Sequence, residues 1–267
     1  MRNRCLSFAL PVLLTLEQIR SSMKCTTPVT SLAGPRPLAR GLYFFDLNGV
    51  LLLSISMNTN VYIDGFNLYH RALEYSPYKW LDLDKLCQAL LPSHQINRIR
   101  YFTAIVDQRP NDPQQQRRQL VYLRALRTIP SLEIHYGQFR TNEKRRPLVR
   151  PISGLPNSVL IKNTEEKGSD VNLATYLIMD GYDGEYEQAV VISNDSDFAL
   201  PIKMVRDKLN FPVGVINPGT KDTTPKELRD SATFQRRIYK KTLRDCQFPD
   251  TMADANGTVT KPSKWII

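Results

Sequence analysis

Ala189-Val190-Val191-Ile192-Ser193-Asn194-Asp195-Ser196-Asp197 is a short β-branched run that stops abruptly in polar residues carrying two carboxylates. An apolar run this short, bounded by polar residues and followed by a helical pattern, suits a strand covered on both faces, as in parallel sheets. Open α/β folds keep their sites beyond the carboxyl ends of such strands, so Asp195 and Asp197 fall where chemistry is expected. Two other segments have the same shape. Val61-Tyr62-Ile63-Asp64-Gly65-Phe66-Asn67 ends a strand in an aspartate, and Glu166-Lys167-Gly168-Ser169-Asp170 opens into the helical pattern Val171-Asn172-Leu173-Ala174. Together they offer four aspartates, Asp64, Asp170, Asp195 and Asp197, to one pocket.

Outward from these segments, strand and helix patterns alternate from residue 58 onward. Strands are expected at 60–64, 98–106, 132–136, 189–194 and 212–217. Helices are expected at 66–74, from Asp82 as cap to 91, from Asp112-Pro113 to 129 with Leu120, Leu123 and Leu126 as the buried face, at 170–179, and at 197–209. This predicts an α/β domain over 57–218, a doubly wound, mainly parallel sheet with helices on both faces. Residues 137–163 break the rhythm with three prolines and with Arg140, Lys144, Arg145, Arg146 and Arg150, and read as a long basic loop suited to holding phosphates. Tyr136 and Phe139 flank it as candidates for stacking on bases. The core is expected to end near Asn217, leaving a short helix at 225–231, a basic amphipathic stretch at 234–246 and a tail at 250–267.

Residues 1–56 read differently. Arg2 and Arg4 precede an apolar stretch at 6–16 that superficially resembles an export signal, but Pro11 interrupts it and no small-x-small site follows promptly. A second apolar stretch at 49–57 falls short of the roughly 20 residues of a membrane span. The change of character at Met57 marks 1–56 as an extension outside the domain, with translation expected to start near Met57.

The 267 residues suffice for one sizeable α/β domain with extensions, and 36 basic against 26 acidic side chains give a net charge of +10. That excess favours a polyanionic partner, nucleic acid above all. The four cysteines form no C-x-x-C pair, so neither a disulfide framework nor a thiolate zinc site is indicated, and a cytoplasmic setting is expected. The three histidines show no H-E-x-x-H spacing. Any metal is then a hard cation on oxygen ligands, Mg²⁺ or Mn²⁺, which would also relieve the mutual repulsion of clustered carboxylates. Bland roles compete at each position: a turn for Asp64, helix caps for Asn67, Asp195 and Asp197, a helix N-terminus for Asp170. Ser193 and Ser196 have no nearby histidine in sequence to act as base, which argues against a serine nucleophile.

With the motifs Tyr62-Ile63-Asp64-Gly65-Phe66-Asn67-Leu68, Lys167-Gly168-Ser169-Asp170-Val171-Asn172-Leu173 and Val191-Ile192-Ser193-Asn194-Asp195-Ser196-Asp197-Phe198 in this order, the chain resembles the NYN-domain family, a branch of the PIN-like nuclease fold, over roughly residues 58–218. The resemblance implies RNA-directed, metal-dependent endonuclease chemistry, with the metal acids on Asp64, Asp170, Asp195 and Asp197 and Asn67 as a polar neighbour on the substrate side. Such chains also resemble 6-hydroxy-3-succinoylpyridine 3-monooxygenases, which hydroxylate a pyridine ring with NADH in bacterial nicotine catabolism. That would imply NADH, with or without flavin, although the chain has no G-x-G-x-x-G and no two-histidine, one-carboxylate pattern. A third reading is an RNA-binding module without catalysis.

Overall fold

A computed structural model describes residues 57–266 apart from 109, 151, 153, 155 and 220–222, together with the backbone of 42–45 and 51–54. The apolar stretch at 6–16 and most of the expected N-terminal extension lie outside the described residues. Within that extension β1 (Leu42–Phe45) pairs antiparallel with β2 (Leu51–Ser54) as a separate hairpin.

The body is built on six strands: β3 (Met57–Asp64), β4 (His94–Thr103), β5 (Leu132–Tyr136), β8 (Gln188–Ile192), β9 (Val213–Asn217) and β10 (Phe234–Arg237). They lie in the order β10-β9-β8-β3-β4-β5, and every neighbouring pair is parallel. The chain starts in the middle, winds outward through β4 and β5, then returns to the other side of β3 with β8. The direction of winding therefore reverses between β3 and β8, and in such sheets the crevice at that reversal receives the ligand.

Period-two alternation sends side chains into two separate cores. Val61, Ile63, Ile99, Tyr101, Val190 and Ile192 pack on one face with α2 (Leu83–Leu90), α3 (Gln115–Leu126) and α7 (Lys240–Asp245). Tyr62, Phe102, Ala189, Val191 and Val215 pack on the other with α4 (Ser169–Tyr182), α5 (Ala199–Lys208) and α6 (Lys226–Ser231). Because both faces are covered, β8 is buried at every position, as its continuous apolar run requires. The expected doubly wound α/β class is the observed one.

Local details depart from the sequence expectation in four places. Asp82 caps α2 as expected, accepting the Asp84 and Lys85 backbone N–H groups at 3.1 and 3.2 Å. Asp112 does not cap α3. The helix begins later, after Gln114, and the Asp112 carboxylate is engaged by Arg118 and by Lys264 Nζ at 3.1 Å, two cations that outbid an orphan N–H. Leu120 is exposed while Tyr122, Leu123, Ala125 and Leu126 face inward, because a spacing of three residues drifts by about 60° per step on a helix of 3.6 residues per turn.

The basic segment is not a loop. Its first part is β6 (Gln138–Pro147), which pairs antiparallel with β7 (Ser158–Lys167) through ten residue pairs. Neither strand shows a buried apolar stripe, so no period-two signal announced it.

The chain beyond Asn217 also keeps building. Phe234 joins the sheet because Gly214 of β9 leaves room for its ring, which a Cβ there would approach to 2.1 Å. The expected tail instead forms β11 (Thr251–Asp254) and β12 (Gly257–Thr260), closed by a two-residue turn with Gly257 at φ 108°, and it buries Val259. Trp80 gathers Phe248, Tyr122 and Trp265 around its ring and donates its indole N–H to the Pro249 carbonyl at 2.8 Å. No helix among the described residues is long and apolar enough to cross a membrane.

Candidate functional site

At the winding reversal β3 delivers Asp64 in its last position, in extended conformation, as the cap of α1 (Gly65–Leu68). Its Oδ1 accepts the Asn67 backbone N–H at 3.0 Å, and its Oδ2 accepts the Ser193 hydroxyl at 2.9 Å. Burial pushes the Asp64 carboxyl pKa upward, the two donors oppose that shift, and the neighbouring Asp195 charge adds to it. The glycine after it is obligatory. A Cβ at Gly65 would lie 2.6 Å from the Phe102 carbonyl oxygen, so only glycine lets α1 start this close to β4.

The adjacent β8 ends in Ser193, Asn194 and Asp195, and hydrogen bonds lock its end to the first turn after β3. Asn67 Oδ1 accepts the Asn194 N–H at 3.1 Å, and Ser193 Oγ accepts the Asp195 N–H at 3.1 Å. Asp195 in turn caps a 3₁₀ turn (Ser196–Phe198), with Oδ1 on the Asp197 N–H at 3.0 Å. Capping leaves Asp64 and Asp195 open to further contacts, since a cap uses one lone pair of a carboxylate that has several.

The third contribution comes from α4. Gly168, left-handed at φ 99°, turns the chain from β7 into the helix, and Asp170 sits in the first turn. Its pKa is pushed up to about 6, chiefly by burial and then by Asp64, Asp195, Glu166 and Asp197. Glu166 is an acid that the sequence reading did not single out. It accepts the Ser169 N–H at 3.1 Å and the Ser169 hydroxyl at 2.7 Å, and it occupies space that a Cβ on Gly137 would fill, 2.1 Å from Oε1. Its position four residues before Asp170, across the turn at Gly168, was the available clue.

Asp64, Asp170, Asp195 and Glu166 open onto one cavity of about 500 Å³. Asp197 does not line it. Its side chain is exposed at the rim, where it acts on Asp170 through charge. Asn67 lines the cavity, and Phe66, His70 and Phe139 form an aromatic wall in which Phe66 meets Phe139 edge to face at 5.6 Å and stacks on His70 at 6.5 Å. The turn carrying His70, Tyr69–Leu73, is a π-helix, a form frequent beside functional sites. Arg71, Lys79 and Arg118 line the cavity too, and Trp265 from the C-terminal segment contributes to its wall. The basic residues expected to hold substrate are elsewhere. Arg140, Lys144, Arg145, Arg146 and Arg150 do not line the cavity; Lys144 pairs with Glu165 at 2.9 Å, and the four arginines are exposed on the hairpin and its loop. Ten residues of strand carry that hairpin about 30 Å at roughly 3.3 Å per residue. Tyr136 is also outside the cavity, its hydroxyl accepting from Arg127 at 2.7 Å.

The donor set at the acidic end is all oxygen, which fits a hard cation. Among the described residues no three acidic, histidine or cysteine side chains are grouped closely enough to hold a metal ion together. Both Asp64 oxygens already accept hydrogen bonds. An open arrangement of this kind fits Mg²⁺ or Mn²⁺, which bind through one or two carboxylates and keep several waters.

A family model described as the NYN domain matches residues 58–237. The chain is 30% identical over 236 residues to the 6-hydroxy-3-succinoylpyridine 3-monooxygenase HspA of Pseudomonas putida, an alignment covering 78% of this chain and 75% of that protein. A crystal structure of a protein of unknown function from Vibrio parahaemolyticus superposes with a TM-score of 0.45 at 18% identity, covering 69% of this chain and 94% of that one. The family match takes in β3, α4 and β8, the elements that carry the acids, and extends through β10: the chain belongs to the NYN domain family.

Proposed function

We propose that the protein hydrolyses RNA phosphodiesters at the acidic end of this cavity, with Mg²⁺ or Mn²⁺ as cofactor. The observation that carries this reading is the convergence of Asp64, Asp170, Asp195 and Glu166 on one opening at the winding reversal, close enough that the other three acids raise the Asp170 pKa. Asp64 and Asp195 would hold the cation, which would supply charge neutralisation and Lewis acidity at the phosphate. The side chains of the protein do the positioning. Asp64 is fixed by its two donors, and Asn67, whose Oδ1 is engaged by Asn194, keeps Nδ2 for a phosphate oxygen. Asp170, with a pKa of about 6, is suited to accept a proton near neutral pH. In the reaction a water oxygen bonds to phosphorus, the bond to the leaving ribose oxygen breaks, the water proton passes to Asp170, and solvent protonates the leaving oxygen. Arg140, Arg145, Arg146 and Arg150 would bind the RNA backbone away from the cut. A cytoplasmic setting suits the buried free thiols of Cys87 and Cys246.

The test is cleavage of single-stranded and structured RNAs with Mg²⁺ or Mn²⁺, compared between wild type and Asp195→Asn. Cleavage lost in the variant supports the reading. Intact RNA under all conditions sinks it, and salt-sensitive binding without cleavage would favour an RNA-binding module instead.

The identity to HspA favours one second reading, hydroxylation of a pyridine ring. In it NADH supplies two electrons, and dioxygen gives one atom to the ring and one to water. The aromatic wall of Phe66, His70 and Phe139 is compatible with a planar ring. NADH oxidation dependent on 6-hydroxy-3-succinoylpyridine, with a hydroxylated product, would put this reading first.

A further inference from the structure

The same cavity carries a second charged end. The charges acting on Lys79 are Glu74, Lys264 and Arg118, whereas those acting most strongly on Asp170 are Asp64, Asp195, Glu166 and Asp197. One cavity thus has an acidic end at the strand tips and a basic end between the π-helical turn and α3. The basic end is incompletely neutralised. Asp112 is shared between Arg118 and Lys264, and Glu74, 2.9 Å from the His70 ring, is the one carboxylate whose charge acts on Lys79, which leaves Arg71, Lys79, Arg118 and Lys264 against two carboxylates. Lys79 Nζ donates only to the Ser76 carbonyl, at 2.7 Å, and the Arg71 guanidinium makes no hydrogen bond or ion pair among the described residues. Partial burial depresses the Lys79 pKa; the Glu74 charge opposes that fall, and the positive charges of Lys264 and Arg118 add to it.

A cation cluster facing a cavity, with donors to spare, binds an anion. The aromatic residues Phe66, His70 and Phe139 line the same cavity as the two charged ends. A volume of about 500 Å³ holds one or two nucleotides and excludes a duplex. We propose that Arg71, Lys79 and Arg118 form an anion subsite for the terminal phosphate of a single-stranded RNA end, with the adjoining base against the aromatic wall. Resting on the nuclease reading, this makes the protein one that acts at phosphorylated ends, within one or two nucleotides of the terminus. Arg118 also anchors Asp112, so Arg71 and Lys79 are the clean probes.

The experiment measures equilibrium binding of three uridine trinucleotides, 5′-phosphorylated, 3′-phosphorylated and hydroxyl-ended, to the full chain in EDTA. The expected result is binding of one phosphorylated trinucleotide at least tenfold tighter than the hydroxyl-ended one, with the preference lost in Arg71→Gln and Lys79→Gln and kept in Asp195→Asn. Circular dichroism and the unfolding midpoint establish that the variants are folded, and inorganic pyrophosphate is expected to compete with the phosphorylated form in wild type. Equal binding of all three, or a preference that survives both substitutions, overturns the subsite. Internal cleavage of circular RNA as fast as of linear RNA also overturns it while leaving the nuclease reading intact. An end preference without any cleavage would instead remove the nuclease reading and keep the subsite.

Discussion

The Ser193 hydroxyl donates to Asp64 Oδ2 across 2.9 Å, tying the ends of β3 and β8 together although 129 residues separate them. The same oxygen of Ser193 accepts the Asp195 backbone N–H, so one hydroxyl holds the Asp64 carboxylate and the stretch of backbone that carries Asp195. Asp64 is only 6% exposed, so a lost donor is poorly replaced by solvent. Ser193→Ala should therefore cost about 1–3 kcal/mol of folding stability, the range for a buried acceptor left unsatisfied. Urea denaturation measures it, and an unchanged midpoint would mean that the hydroxyl is idle. In an active preparation the same variant should weaken divalent-cation binding, because Asp64 and Asp195 lose their shared anchor.

Gly65→Ala pits propensity against space. Alanine is better in a helix by about 1 kcal/mol. A Cβ here would sit 2.6 Å from a backbone oxygen of Phe102 and 2.7 Å from the Tyr101 ring, and a backbone strand cannot rotate aside. Overpacking of this kind costs about 1–3 kcal/mol, so the net effect should be destabilising. A thermal midpoint equal to or above wild type would show that α1 can shift away from β4 without loss.

Much of this arrangement was legible because it is local. Val190, Val191 and Ile192 announce a doubly covered strand by composition alone, and Asp64 and Asp195 follow from the rule that sites sit at strand ends. Glu166 was harder, since its role depends on the turn at Gly168 and on the missing side chain of Gly137, a contact between β7 and the end of β5. The β6–β7 hairpin was illegible for another reason. Its ten pairs set Arg140 against Glu165, Thr141 against Thr164 and Glu143 against Lys162, so polar residues occupy both faces and no period appears. The basic end of the cavity joins residues 71, 79 and 118 through tertiary packing that no local pattern encodes.

The C-terminal hairpin turns at Ala255-Asn256, a pair without the usual glycine signature, and its importance comes from a distant contact. Trp265, just beyond the hairpin, packs its ring 6.3 Å from that of Trp80, far away in sequence. Removing residues 250–267 should expose the Trp80 cluster, strip Trp265 from the cavity wall and uncover the surface that Val259 buries, at a cost of several kcal/mol. The expected readings are a lower unfolding midpoint and a red-shifted emission from the remaining Trp80. A truncated chain with wild-type stability and emission would show that the segment is an accessory after all.

On the sheet face covered by α4, Asp180 accepts Arg100 Nε at 2.8 Å, Arg100 Nη2 at 3.0 Å and the Tyr62 hydroxyl at 2.6 Å, while Arg100 also reaches Glu133 and lies 3.1 Å from His135 Nε2. His135 is enclosed by Phe102 and Tyr176 and faces the Arg100 charge, so burial first and Arg100 second hold its pKa below the ordinary histidine value, against the opposing pull of Glu133 and Asp180. In the unfolded chain it titrates near pH 6.5. As pH falls below that value the unfolded chain takes up a proton that the folded protein refuses, so this contribution to stability is present above about pH 6.5 and declines as the pH drops toward the lower folded pKa. Denaturation curves at pH 7.5 and pH 5.5 should show wild type losing more stability, or gaining less, than His135→Gln, which keeps an acceptor for Arg100 but cannot titrate; Asp170, whose pKa is pushed up to about 6, acts in the opposite direction in both proteins. A slope identical in the two proteins would place the pH sensitivity elsewhere in the molecule, with His94, whose pKa is also lowered by burial and by Arg236, as the next residue to replace.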